Sequence, residues 1–512
     1  MGNHHASSLT FYAAVALGIV ALAPTSGCSS KPNNAGSGGD GGGSSSSGGG
    51  GCQTFGCADD SPTALTMTCP AGTNFQCQKV VCGGSTTTTL SGTVFDPAGK
   101  IPLWGVSVYV PNVTPGALPS GASCGDCSAW YTAPVVSALT DEGGNFTIKD
   151  MPVGPKIPLV VQVGKWRMQY TLSNVAKCTS NDAASLAGAR LRMPRNHMEG
   201  DIPNIAVSTG AADSLECLLM RMGIDKTEYT GDPKGAGRIK IFTGGDAPMG
   251  HGGATTNAPT SLQSYTALWN RDDSMMAFDV VLLSCEGNET SYMNDAARSV
   301  LFDYTNMGGR VFASHYHYAW FTPTGPFSTV TPPLATWQIG TGLVGSDPSQ
   351  PQNADIVTTL PNGMPFPEGA SLQKWLQNNG ALTNGKLPIY FSRHNATVSM
   401  TNSDSQTWVA LDPTTPVPNA TQYFSFDTPL GLKGGESCGR VVYSDLHVSG
   451  GANSAEPGVM ADYPSFTSGG IVPDGCASHD LTAQEKALEF MIFDLSSCLT
   501  PVGLPPKPPT PQ

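Results

Sequence analysis

The sequence predicts a multidomain chain in which a small antiparallel β-sandwich is followed by an α/β domain carrying a long insertion. Three observations point there. The chain runs to 512 residues, more than one ordinary domain holds. Between residues 87 and 172, runs rich in Thr, Val and Tyr alternate with turn signals such as DPAG and DEGG, the pattern of short antiparallel strands. From residue 202 the order becomes strand, helix, strand, helix, strand, which calls for a parallel sheet covered on both faces.

Composition narrows the partners. The net charge is −13 and the isoelectric point about 5.0, with no cluster of Lys or Arg. Phosphate binding needs concentrated positive charge, so nucleic acid is not an expected partner. Charged residues make up 13%, against 61 Gly and 41 Pro, which favours strands, turns and linkers over long surface helices.

The elements follow in order. LTFYAAVALGIVALA (9–23) is an apolar run of signal-peptide length, so residues 1–27 read as an export signal. TSGC follows and resembles a bacterial lipobox, which implies lipidation of Cys28 and a membrane partner through that anchor; Ser29 in the next position implies the outer membrane or cell surface. Residues 28–51, nearly all Gly, Ser and Asn after the cysteine, form a tether that cannot bury apolar surface. Residues 52–84 hold Cys52, Cys57, Cys69, Cys77 and Cys82. No C-x-x-C pair occurs among them, so a disulfide knot is expected rather than zinc. Fourteen cysteines in all suit an oxidising compartment; setting Cys28 aside leaves an odd number.

Residues 85–195 carry the sandwich. Ser91-Gly92-Thr93-Val94, Asp96, Gly99, Gly105-Val106, Asp141, Gly143, Phe146 and Pro152-Val153-Gly154 stand in an order that resembles the carboxypeptidase regulatory-like, transthyretin-like domain. That resemblance implies a structural or adhesive module. An insertion, SCGDCSAW, places Cys124 and Cys127 in a loop, where a bridge between them is expected in preference to a redox pair.

Residues 196–500 carry the α/β domain. IPNIAVSTG (202–210), RIKIFTGG (238–245), FDVVLLSCEG (278–287), RVFASHYHY (310–318) and CGRVVYSDLHVS (438–449) read as strands. AADSLECLLMRMGI (211–224), YMNDAARSVLFDYTNMGG (292–309) and TAQEKALEFMIFDLSSCL (482–499) read as helices, the last capped near Thr482. Residues 321–435 form an insertion of unresolved structure, and residues 501–512 a Pro-rich disordered tail.

Open parallel sheets place ligands at the carboxyl ends of their strands. There the sequence puts Thr209 and Gly210, then Cys285 and Glu286, then His315 and His317, and finally Asp445 and His447. His315 and His317, two apart on an extended segment, should share a side; with His447 they would form a ligand set for a divalent metal such as zinc, copper or iron. Glu286 is a candidate general base, and Asp445 a candidate to orient His447. Cys285 is either a thiolate activated by a histidine or half of a disulfide with Cys217. His315 is expected to point into a pocket with His447 and Glu286 beside it, and His317 to sit at the rim.

FDVVLLSCEG, the following helix, GGRVFASHYHY and GRVVYSDLH together resemble the ThuA-like branch of the class I glutamine-amidotransferase-like superfamily. The resemblance places His315 at the position of the amidotransferase nucleophile and His447 at the late histidine. It implies a flavodoxin-like fold and carbohydrate chemistry. Ser314-His315 is not a Gly-x-Cys-x-Gly elbow, so amidotransferase activity is not expected. Two classes of function follow: an exported hydrolase or related carbohydrate-active enzyme working through His315, His447, Glu286 and Asp445, or a non-catalytic surface-binding lipoprotein. An open crevice would favour the first, and histidines closed off by the insertion the second.

Overall fold

The computed structural model describes residues 75–511 apart from 125–126, 245–261, 270–271, 288, 290–292, 400, 403, 433–435, 449–455, 463 and 465–471. The expected signal segment, the Cys28 anchor, the tether, and Cys52, Cys57 and Cys69 lie outside the described residues.

The N-terminal strands are β1 (Thr89–Phe95), β2 (Ser107–Pro111), β3 (Pro134–Leu139), β4 (Asn145–Lys149), β5 (Gly154–Val163), β6 (Trp166–Val175), β7 (Ser180–Asp182), β8 (Leu191–Arg192) and β9 (Gly200–Asp201), with a short helix α1 (Ala183–Ala187). They form two sheets: β4-β1-β7 with β8 beside β1, and β3-β2-β5-β6-β9. Leu90, Val94, Val108, Val110, Ile148, Leu159, Val161 and Leu172 fill the space between. The predicted turns form as their chemistry requires: Asp96 accepts from the Lys100 and Ile101 amides, and Asp141 from those of Gly143 and Asn145. The pairing is not wholly antiparallel, because β7 and β8 both join β1 in parallel.

The second set is β10 (Ile205–Ser208), α2 (Leu215–Arg221), β11 (Tyr229–Thr230), β12 (Ile239–Thr243), β13 (Gln263–Ser264), α3 (Tyr265–Trp269), α4 (Asp272–Met275), β14 (Val280–Leu283), α5 (Asp295–Asn306), β15 (Arg310–Ser314), β16 (Thr336–Trp337), β17 (Gln352–Ile356), α6 (Pro367–Asn378), β18 (Leu387–Ile389), β19 (Ala396–Thr397), β20 (Ser405–Leu411), β21 (Thr421–Thr428), β22 (Gly439–Ser444) and α7 (Ala483–Ser496). One large mixed sheet runs β11-β12-β10-β14-β15-β22-β21-β20-β17-β18, with β13 beside β12. From β11 to β22 the neighbours are parallel; from β22 to β18 they are antiparallel.

The run VVLL is buried on both faces, as its uninterrupted apolarity requires. Val280 and Leu282 enter one core with α2, α6 and α7, while Val281 and Leu283 enter a second with α3 and α5. Helix α7 begins at Thr482 in a capping box with Glu485. The insertion does not form a separate lid. Its strands β17, β18, β20 and β21 lengthen the sheet past β22.

The sandwich and the α/β part share one apolar core. Trp104 stacks on Phe490 and Trp166 meets Phe493, both from α7. Trp375 donates to the Pro102 carbonyl, and the buried Lys165 pairs with Asp279 at 2.6 Å.

The cysteines pair differently from expectation. Cys124 bonds Cys438 rather than Cys127, and Cys217 bonds Cys476 rather than Cys285. Cys82 leaves the Cys-rich segment to bond Cys178. Sequence spacing could not foresee these bridges, because each joins residues at least 96 apart that only the fold brings together. Disulfides of this kind mark a chain that matures in an oxidising, exported setting. Among the described residues, no helix is long and apolar enough to cross a membrane.

Candidate functional site

The site lies where β14, β15 and β22 end together. Their register pairs Leu283 with Ala313 and Ser314 with Ser444, so Cys285, His315 and Asp445 emerge on neighbouring strands. β15 stops at Ser314, and His315 turns the chain with φ 41° into a 3-10 turn, His315–Trp320. A non-glycine residue in this left-handed region is strained, and from it the His315 ring turns back toward Cys285 and His447.

There it meets two other ligand-type groups. The Cys285 sulfur is 3.5 Å from His315 Nδ1, and the His315 and His447 ring centroids are 4.8 Å apart. One donor atom from each of Cys285, His315 and His447 lies within 4.8 Å of the others. All three residues are buried, none more than 1% exposed. Neither His447 nitrogen has a hydrogen-bond partner among the described residues, although buried polar atoms ordinarily have one.

A shell of partners orients the trio. Asn395 donates through Nδ2 to the Gln338 carbonyl at 2.8 Å, which fixes its amide. Its Oδ1 therefore accepts from His315 Nε2 at 3.1 Å, leaving the Nδ1 lone pair facing Cys285. Asp445 accepts from the amides of Asn395 and Ala396 and from Tyr443; it braces the Asn395 segment and makes no hydrogen bond to His447. Tyr443 also donates to the His315 carbonyl. Asp213, just before α2, accepts from the Cys285 amide, the Ser314 hydroxyl and the Val448 amide, so one carboxylate ties three strand ends.

Thr209 accepts from the Gly244 amide. Gly210 lies against Cys285 so closely that a Cβ would overlap the Cys285 carbonyl oxygen. Gly210 thus supports the trio through backbone packing, whereas Thr209 fixes the neighbouring Gly244 amide.

Glu286 and His317 form a separate pair. Because the strand ends early, the two-residue period fails, and His317 turns away from His315 into a fully buried position rather than the rim. Its Nε2 donates to the Ser284 carbonyl at 2.9 Å and lies 3.1 Å from the Glu286 carboxylate, while Nδ1 accepts from the Trp320 indole. Burial disfavours the imidazolium, but Glu286 outweighs it and draws the His317 pKa upward. Protonation would still cost the Trp320 hydrogen bond, since both ring nitrogens would then be donors. Among the described residues, His317 therefore does not join His315 and His447 in a ligand set.

The electrostatics favour ligands over acid–base groups. Burial, aided by Arg393, pushes His315 down to about 3. Burial and then the adjacent His315 hold His447 well below the ordinary imidazole range. Burial, reinforced by Asp213, pushes the Cys285 thiol up. Two neutral imidazoles and a protonated thiol make a poor nucleophile–base pair at neutral pH. The neutral imidazoles are in the form that offers lone pairs to a metal ion, and Cys285 would join them by giving up its proton. Asp213, Asn395 and Tyr443 were not anticipated from the sequence. Asp213 read as part of a helix start, Asn395 lay in the insertion, and Tyr443 looked like one more apolar strand position.

The chain matches no protein-family model and no curated protein. Among solved structures it is similar to a ThuA-like protein from Bacteroides uniformis at 12% identity, covering 49% of this chain and 82% of that one, with a TM-score of 0.25. It is also similar to two cohesin–X-dockerin complexes from Acetivibrio cellulolyticus at 18% and 16% identity. These cover 27% and 25% of this chain and 85% and 78% of those, each with a TM-score of 0.15. At such scores the likenesses assign no activity.

Proposed function

We propose that this chain is an exported metal-binding protein whose α/β part holds one transition-metal ion between Cys285, His315 and His447. The observation that carries this reading is the convergence of the three buried donor atoms within 4.8 Å of one another. The strand order β12-β10-β14-β15-β22 supports a flavodoxin-like reading of this sheet, in which the carboxyl edge that carries the trio is the usual ligand edge. The closed setting, with Asn395 of the insertion against His315, favours binding over turnover of a carbohydrate in an open crevice. Elemental analysis of the purified full chain tests the reading. About one equivalent of metal is expected, lost in His447→Ala, whereas a metal-free protein that takes up none on reconstitution would sink it.

The sequence around Cys28 supports a lipid anchor at the outer membrane or cell surface, with the Gly/Ser tether holding the folded part away from the bilayer. Cys28→Ala should move the protein from the membrane fraction to the soluble one. Retention in membranes after a salt wash would rule the anchor out.

A further inference from the structure

We infer that the ion held by Cys285, His315 and His447 is monovalent copper rather than a divalent metal. The inference rests on the metal-binding reading above and concerns which ion that site selects.

Three features carry it. The first is donor chemistry. One sulfur and two imidazole nitrogens converge, with no carboxylate among the three. A thiolate with imidazoles is a soft set that favours copper and zinc over magnesium, calcium or manganese. The second is donor number. Structural zinc is closed by four protein ligands, and catalytic zinc completes its shell with water at an open position. Here three donors converge among the described residues, and they are 0–1% exposed. Monovalent copper is satisfied by three donors in a plane and needs no water. The third is the state of the thiol. Cys285 is a free thiol in a chain whose Cys82, Cys124, Cys178, Cys217, Cys438 and Cys476 are all oxidised to disulfides. A buried reduced cysteine aimed at two histidines, one of them with both nitrogens unpartnered among the described residues, is what a copper thiolate requires.

Binding replaces the Cys285 S–H bond with a sulfur–copper bond and releases one proton to solvent, with no change of oxidation state. Asn395 acts as a positioning residue by holding the proton of His315 on Nε2 and so presenting Nδ1 to the ion.

The test uses the full chain in a Cys77→Ala background, since Cys77 is an exposed free thiol that would bind copper adventitiously. Metal-free protein is titrated anaerobically with monovalent copper under ascorbate, which spares disulfides, in competition with a chromophoric chelator. A parallel titration uses divalent zinc. One equivalent of copper is expected, with X-ray absorption reporting one sulfur and two nitrogen neighbours. Cys285→Ser and His447→Gln should each weaken copper by at least roughly a hundredfold, more than loss of an outer-shell partner, with circular dichroism checking that each variant folds. Asn395→Asp, which keeps an acceptor for His315 Nε2, should restore most of the copper affinity lost in Asn395→Ala. Zinc bound through Cys285 in preference to copper would overturn this inference and leave the metal-binding reading standing. Failure of both ions to bind would overturn both.

Discussion

At the scale of single residues, His315 is held in a strained backbone conformation. Its φ of 41° costs a side chain about 1–2 kcal/mol that glycine escapes. In metal-free protein, His315→Gly should therefore melt above His315→Ala by the equivalent of about 1 kcal/mol, as differential scanning calorimetry can read. Equal melting points would mean that the backbone relaxes without strain. This residue also marks where sequence reading failed. RVFASHYHY looks like one strand, and a strand puts its two histidines on one side. The chain leaves extended geometry at Ser314, so one histidine meets Cys285 and the other meets Glu286. Periodicity is legible in a sequence, but the residue at which it stops depends on tertiary contacts. Here those are the Tyr443 hydroxyl on the His315 carbonyl and Asp213 on Ser314.

At the scale of elements, the strand ends were legible and their bracing was not. Strand–helix alternation located β10, β12, β14, β15 and β22, and the carboxyl-edge rule then assembled Thr209, Gly210, Cys285, His315 and His447. What holds them comes from segments without periodic signal: Asp213 between β10 and α2, and Asn395 beside β19. The contact of Gly210 with Cys285 gives a test at this scale. Gly210→Ala should push β10 and β14 apart at their ends. We expect a loss of about 1–3 kcal/mol from overpacking, together with weaker metal binding. Denaturant melts and metal titration of that variant read the two effects, and an unchanged metal affinity would separate Gly210 from the site. Asp213→Asn should likewise loosen three strand ends at once, visible as faster amide exchange near Cys285, Ser314 and Val448.

At the scale of the whole molecule, buried carboxyl groups set the response to pH. Burial pushes Glu216 up to about 8, helped by the charges of Asp462 and Asp213, and burial pushes Glu368 up to about 7. Both hold a proton in the folded state over a range where the unfolded chain has lost it. The contribution of these two groups to stability is therefore full below the ordinary glutamate value of 4.5 and lost as pH rises through about 7 to 8, while the depressed His315 and His447 act oppositely below the ordinary histidine value of 6.5. Urea melts above the ordinary histidine value of 6.5 and up to about pH 7 should give a falling free energy, with a slope approaching about 1.4 kcal/mol per pH unit for each such group. Glu216→Gln should remove one group's share of that slope and leave the share of Glu368, and an unchanged slope in that variant would assign the dependence elsewhere. Reduction of the disulfides should act globally as well. Cys124–Cys438 and Cys217–Cys476 close loops of 314 and 259 residues, for which chain entropy gives up to about 5 kcal/mol each.

The position of β22 in the sheet carries a consequence for the order of events as the chain crosses a membrane. This strand lies between β15 and β21, yet it follows β15 in the chain by more than a hundred residues and carries His447 just beyond its end. In an exported chain, Cys285 and His315 therefore precede their third companion, and β15 cannot be joined to β21 until β22 arrives. Under the proposed metal-binding reading, an ion would be held by all three donors only after residue 447 has arrived, so loading would be the last step and would belong to the compartment in which the protein works.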